Sequence, residues 1–98
     1  MITEPERGAL FLDEHEPGWY HKIDLTRLNL AHGSLCICGQ VYADRCGSTE
    51  TGFLYFTHKF PEVDIIRHGF VEDDEFDAEW RRIISERQTQ TNPQEVTR

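Results

Sequence analysis

The chain has little positive charge and no long apolar run. Its 98 residues include 10 lysines and arginines against 18 aspartates and glutamates, so the formal net charge is −8. A protein that binds the nucleic-acid backbone needs a clustered basic face, so direct nucleic-acid binding is not expected. No apolar stretch approaches the roughly 20 residues of a membrane-spanning helix, and the acidic N-terminus lacks a signal-peptide pattern. The sequence therefore predicts a cytoplasmic protein without membrane contact.

Cysteine is scarce, and its three copies lie close together at Cys36, Cys38 and Cys46. An odd number of closely spaced cysteines without a secretory signal fits a reducing compartment better than a disulfide scaffold. The phosphate-binding patterns GxGxxG and GxxxxGK[ST] are missing too, so no motif supports nucleotide binding. The five histidines are scattered without paired-ligand spacing. No catalytic residue and no cofactor is therefore predicted, and the chain is not expected to be an enzyme.

Helical periodicity dominates the chain and predicts a mainly α fold. We expect a compact single-domain bundle of four or five short helices over residues 1–87. Residues 88–98 lack an apolar period and are expected to form a disordered tail. Six Phe, three Tyr and two Trp supply large rings for a core of modest size.

Local signals set the limits of the first two helices. Thr3 and Glu6 form the pattern of a capping box, and Pro17-Gly18 ends the helix that follows. Ser34 is expected to cap the cysteine-bearing helix, and Gly47 to end it. A further glycine inside that helix, Gly39, suggests a close approach of two helices.

The stretch from 48 to 60 is less clear. Phe53, Phe56 and Phe60 have helical spacing, whereas residues 53–57 would also suit a short buried strand. Short apolar runs of this kind are not resolved by periodicity alone. A helix that ends at Pro61 is the preferred interpretation.

Two helical stripes are predicted in the C-terminal third. Val63, Ile66 and Phe70 form the first, with Gly69 in a left-handed cap. The second has apolar residues at i, i+4, i+7 and i+8, preceded by acids and followed by arginines as the helix dipole favours. These apolar residues are Phe76, Trp80, Ile83 and Ile84, and Asp77 and Arg81 are spaced for an i, i+4 ion pair.

The cysteines allow two interpretations that depend on the local backbone. On a helix, Cys36 and Cys38 point about 200° apart and cannot share a metal ion. On a strand they would face the same way, and Cys46 with either His32 or His58 could complete a zinc site. A helical stretch over 35–45 with cysteines in packing roles is the preferred interpretation.

The acidic run 72–79 also has two interpretations. Its carboxylates could imitate a DNA backbone and occupy a basic groove on a partner, or they could form a solvated helix start that complements its own dipole. The second is favoured. Trp19 beside the Pro-Gly turn is likewise more typical of a core residue than of a recognition residue.

Residues 7–85 carry a series of short motifs, namely Gly8-Ala9-x2-Leu12-Asp13-Glu14, Pro17-Gly18-Trp19, Ile23-Asp24-Leu25, Leu28-x-Leu30, Cys36-x-Cys38-x-Gln40-Val41-Tyr42, His68-Gly69-Phe70 and Trp80-Arg81. In these motifs the chain resembles a set of small proteins from actinobacteria and their phages. Members of that set commonly have a bulkier residue where this chain has Gly39. The resemblance supplies no activity and implies only a setting: a small phage-associated accessory protein inside a bacterial cell.

Composition and setting together predict a small acidic protein that binds and modulates a host or phage protein. The candidate contact surface comprises Trp19, Tyr20, Asp73, Asp74, Glu75, Asp77 and Glu79. The alternatives are a zinc-stabilised module built on Cys36, Cys38, Cys46 and His32, and a DNA-mimic inhibitor that uses the acidic run.

Overall fold

A computed structural model describes the backbone of residues 2–96 and the side chains of residues 2–90. It contains helices α1 to α4 and one 3₁₀ helix. In chain order these are α1 (Glu4–His15), the 3₁₀ helix (Trp19–Lys22), α2 (Ile37–Val41), α3 (Gly52–Lys59) and α4 (Asp74–Val96). Within the described backbone there is no strand, which confirms the mainly α fold. None of these helices is long and apolar enough to cross a lipid bilayer.

Helix α1 begins and ends where the sequence predicts. The Glu6 amide donates to the Thr3 hydroxyl at 3.2 Å, and the Thr3 amide donates to the Glu6 carboxylate at 2.8 Å, which completes the capping box. After Glu16 the chain turns at Gly18, whose φ of +81° lies in the left-handed region. The turn brings the Trp19 side chain back against α1, where its indole nitrogen donates to Asp13.

Helix α4 packs along the core through the predicted apolar stripe. Trp80, Ile83 and Ile84 are buried. The Asp73 carboxylate accepts from the amides of Glu75 and Phe76 at 2.9 and 3.1 Å, and so caps the helix. The predicted ion pair between Asp77 and Arg81 forms at 2.9 Å.

The start of the predicted tail contacts the body of the protein. The Gln88 side-chain amide donates to the carbonyls of Tyr20 at 2.9 Å and Ile23 at 3.1 Å. Helix α4 is assigned as far as Val96. The prediction that residues 88–98 form a disordered tail concerns, from residue 91 onwards, side chains that lie outside the described residues.

The second helix is shorter than predicted and starts later. It begins at Ile37 rather than Leu35, and its N-cap is Cys36 rather than Ser34. It ends at Val41, so the prediction that it continues to Gly47 is also wrong. The reason is local, because the amides of Leu35 and Cys36 both donate to the carbonyl of His32 and hold the preceding residues in a turn. Helix α3 confirms the preferred interpretation of 48–60, and the strand alternative for 53–57 is wrong.

Helices α2 and α3 meet through two glycines. A Cβ atom on Gly52 would lie 2.5 Å from the carbonyl oxygen and 2.7 Å from the Cα of Gly39. A side chain on Gly39 would in turn strike the carbonyl of Gly33. The close approach that Gly39 suggested is therefore present: Gly52 must lack a side chain for α3 to reach α2, and Gly39 must lack one to fit against the turn that precedes α2.

The predicted helical stripe over 63–70 is wrong. The chain makes a single turn there, in which Asp64 accepts from the amides of Ile66 and Arg67. Phe70 donates back to the carbonyl of Ile65 at 2.8 Å and Gly69, with a φ of +73°, closes the turn as the predicted left-handed cap. Ile66 consequently points to solvent and is 61% exposed.

Replacing Gly52 by alanine should destabilise the protein by about 1–3 kcal/mol, because the new methyl group meets backbone atoms that cannot rotate away. The matched control is Gly47→Ala, where an added Cβ has nothing within 4 Å and φ is not positive. That variant should be neutral or slightly more stable. Urea unfolding of both variants measures the difference, and equal stabilities would contradict the close contact.

Candidate functional site

The cysteine cluster is part of the packing of α2. The Cys36 sulfur accepts from the Gly39 amide at 3.3 Å, so it serves as the N-cap of the helix. The Cys38 side chain points into the core and is 1% exposed. Burial raises the pKa of both thiols, most strongly that of Cys38, so both are protonated at neutral pH. The predicted packing roles are therefore present, although only Cys38 lies within the helix and Cys36 precedes it with an extended backbone.

The remaining members of the predicted zinc site are engaged elsewhere. His32 Nδ1 accepts from the Ser34 amide at 3.2 Å, and the Cys46 thiol donates to the carbonyl of Ala43 at 3.5 Å. Within the part of the chain described here, no group of three or more His, Cys, Asp or Glu side chains is placed to hold a metal ion. The zinc alternative therefore has no geometry to support it.

Trp19, which was included in the predicted contact surface, is fully buried. Its indole nitrogen donates to the Asp13 carboxylate at 2.9 Å, and its ring meets that of Trp80 edge-on at 5.8 Å. A buried indole has no surface to offer a partner, so its inclusion is corrected to a core role. Tyr20 is half-buried, with the guanidinium of Arg87 5.6 Å from its ring centre.

The acidic run at the start of α4 is divided between two roles. Asp73 caps the helix, Asp77 pairs with Arg81, and Glu79 pairs with Arg82 at 2.6 Å. Asp74 and Glu75 are exposed to solvent. Part of the run thus has the structural role that the favoured interpretation gives it, and part of it remains accessible.

Helices α1 and α4 lie side by side and run in the same direction. Three contacts in register show this. Thr3 bonds to Glu79 at 3.2 Å, Glu6 pairs with Arg82 at 3.5 Å, and Asp13 pairs with Arg87 at 2.7 Å. Parallel helices bring their positive N-terminal ends together, which is unfavourable unless acids lie there. The acids at the starts of both helices supply that compensation.

The two parallel helices leave a groove on the outer face, which we call the α1–α4 groove. It encloses about 260 Å³. Its apolar lining consists of Ala9 and Ile83, which are buried, and Ile2 and Leu10, which are 42% and 54% exposed. Its charged lining consists of Glu6, Arg82, Glu86 and Arg87. A partner that enters the groove would therefore meet an apolar floor between charged edges.

The charged edge of the groove is organised by one arginine. Besides Glu79 and Glu6, the guanidinium of Arg82 contacts Glu86 at 3.1 Å. The hydrogen bond from Arg82 lowers the pKa of Glu79, and its carboxylate partners raise the pKa of Arg82 itself. Three carboxylates share one cation, so the edge keeps a surplus of negative charge.

The α1–α4 groove was not predicted, although one local signal pointed to it. Leu10 stands out of phase with the buried pair Ala9 and Leu12, so a helix that buries those two must expose it. The contact of Glu6 with Arg82 joins residues from opposite ends of the chain and leaves no local signal.

A second polar cluster fastens the end of α1 to the residues after α2. Arg45 donates two hydrogen bonds to Glu16, one of them 2.6 Å long, and Glu16 is only 9% exposed. Its bonds lower the pKa of Glu16, while burial and the nearby Glu16 charge raise the pKa of Tyr42. The Tyr42 hydroxyl is buried beside the Glu16 carboxylate. At neutral pH Glu16 and Arg45 are both charged, and we call this ion pair the Glu16–Arg45 clamp.

Comparison with protein-family models, with curated proteins and with solved structures finds nothing that matches this chain. Its function is therefore inferred from its own geometry and chemistry.

Replacing Glu16 by glutamine should lower the free energy of unfolding by about 1.5–3 kcal/mol at pH 7. The folded state lowers the pKa of Glu16, so the stability from this ion pair is complete above the unfolded pKa of about 4.3 and is lost as pH falls through the folded value. The gap between wild type and variant should therefore shrink at pH 3.

Urea titrations at pH 7 and pH 3 measure both gaps. Glu14→Gln removes an exposed carboxylate from α1 and should change little at either pH. A deficit of Glu16→Gln that stayed constant with pH would contradict the clamp.

Proposed function

We propose that this chain is a small acidic accessory protein that binds and modulates another protein through the α1–α4 groove. The observation that carries the proposal is the pair Ile2 and Leu10. Both are large apolar residues held beside a groove with a buried floor, at 42% and 54% exposure. Exposed apolar side chains that border a charged edge are typical of protein contact surfaces.

The accessible acids extend this surface. Glu75, Glu79, Arg82 and Glu86 are spaced at i, i+4, i+7 and i+11, so they form one stripe along α4. The stripe takes in two of the residues in the predicted contact surface, Glu75 and Glu79. Tyr20 lies further along α4, beside Arg87.

The proposed role is binding, and it requires neither catalysis nor a cofactor. The resemblance to actinobacterial and phage proteins supplies the setting, namely the cytoplasm of a bacterial host and a partner from host or phage. The DNA-mimic alternative has less support, because Asp73 caps α4 and Asp77 is paired with Arg81 within the protein. The zinc alternative lacks a ligand group among the described residues.

Replacing Leu10 by serine should weaken partner binding about fivefold. Burial of the exposed half of its side chain against a partner should contribute roughly 1 kcal/mol to the binding free energy, which corresponds to about fivefold in affinity. Leu10 is already largely in solvent, so the fold should be kept. Leu54→Ser is the matched control, because Leu54 on α3 is 45% exposed and lies outside the groove.

The three proteins serve as baits in an actinobacterial lysate, and the captured species are identified by mass spectrometry and titrated. The proposal predicts a partner that binds wild type and Leu54→Ser equally and Leu10→Ser more weakly. A partner insensitive to Leu10, or sensitive to Leu54, would contradict it.

A further inference from the structure

We infer that the α1–α4 groove takes a cationic amphipathic α-helix of the partner, an inference that rests on the proposed function. The groove runs along the line where two parallel helices meet. Its lining follows α1 as far as Leu10 and α4 from Arg82 to Arg87. The contacts of Thr3 with Glu79 and of Asp13 with Arg87 show that the two helices stay together over ten residues of α1, a rise of about 15 Å. A third helix laid along this length fits the helix-in-groove mode of recognition.

The apolar part of the groove determines which side of that helix faces inward. Ala9 and Ile83 form a buried floor, while Ile2 and Leu10 stand at its edge. A helix with apolar residues at i, i+3, i+4 and i+7 presents a stripe of matching width. These side chains would cover the exposed surface of Leu10 and Ile2.

The charge of the edges determines the rest of the occupant. Glu6, Glu79 and Glu86 share the single guanidinium of Arg82, and Arg87 is paired with Asp13. The groove itself is lined by two carboxylates and two guanidiniums, and Glu79 and Asp13 lie beside it as further partners of these arginines. Counted with these partners, four carboxylates surround two cations. Lysine or arginine residues that flank an apolar stripe would complement this surplus.

Other classes of occupant fit the charge less well. In a symmetric dimer of this chain the same patch would face itself, so each acidic edge would meet another acidic edge, at −8 per copy. Anionic lipid surfaces and nucleic-acid backbones would be repelled by the same carboxylates. A cationic helix is the class that both the apolar floor and the acidic edges favour.

A direct test uses two synthetic helical peptides with an identical leucine stripe. One peptide carries lysine at all positions outside the leucine stripe, and the other carries glutamate at those positions. Binding is measured by fluorescence anisotropy at low and at physiological salt. The lysine peptide should bind wild type with an affinity that falls as salt rises, and the glutamate peptide should bind at least about tenfold more weakly.

Two pairs of variants localise the binding. Glu86→Lys reverses a charge in the groove and should weaken the lysine peptide about tenfold, whereas Glu62→Lys reverses an exposed charge outside it and should change affinity less than twofold. Leu10→Ser and Leu54→Ser form the apolar pair, with the loss expected only at Leu10. Equal losses within either pair would show non-specific attraction to an acidic surface and overturn the inference.

The failure of this inference differs from that of the proposed function. If the captured partner depends on Leu10 but the lysine peptide binds no better than the glutamate peptide, the groove still binds protein and the cationic helix is wrong. If capture of the partner does not depend on Leu10, the groove is not the contact surface, and both the proposed function and the inference of a cationic helix are wrong. A wild-type dimer in sedimentation that Leu10→Ser abolishes would identify a second copy as the occupant and also overturn the inference.

Discussion

The rest of the structure depends on the burial of Trp80 against α1. A Cβ on Gly8 would strike the carbonyl oxygen of His68 and would lie 3.0 Å from the indole ring, so α1 can approach the turn before α4 and Trp80 this closely only because residue 8 has no side chain. The ring nitrogen donates to the carbonyl of Gly69 at 2.6 Å, and the rings of Phe70 and Trp19 pack against it. One side chain thereby joins both long helices, the turn before α4 and the segment after α1.

This contact sets the relation between the two helices from which the functional proposal follows. Because α1 and α4 are parallel, their N-terminal ends meet, and the acids that compensate the two dipoles gather on one side of the molecule. Because they are close, their outer faces form a groove instead of two separate surfaces. The need for acids at both helix starts follows from this arrangement, and the exposed Leu10 lies beside the groove that it creates.

Several features with local causes could be predicted from the sequence, whereas most contacts between distant residues could not. The capping box at Thr3 and the left-handed Gly69 are properties of a few neighbouring residues, so their patterns are visible directly. Cys36 was misjudged because sulfur is an unusual cap and Ser34 is a common one. The groove depends on residues 76 positions apart, such as Thr3 and Glu79, and no periodicity reports on such pairs. Its one visible sign was that Leu10 is out of phase with its apolar neighbours.

The central claim is that the face bearing Leu10 meets a protein partner. Site-specific photo-crosslinking in cells that produce the protein tests it most directly, with benzoylphenylalanine placed at position 10 or at position 54, both exposed in the free protein. The account predicts a discrete cross-linked species from position 10, recoverable on a gel and identifiable by mass spectrometry, and none from position 54. A cross-link from position 54 with none from position 10 would contradict it.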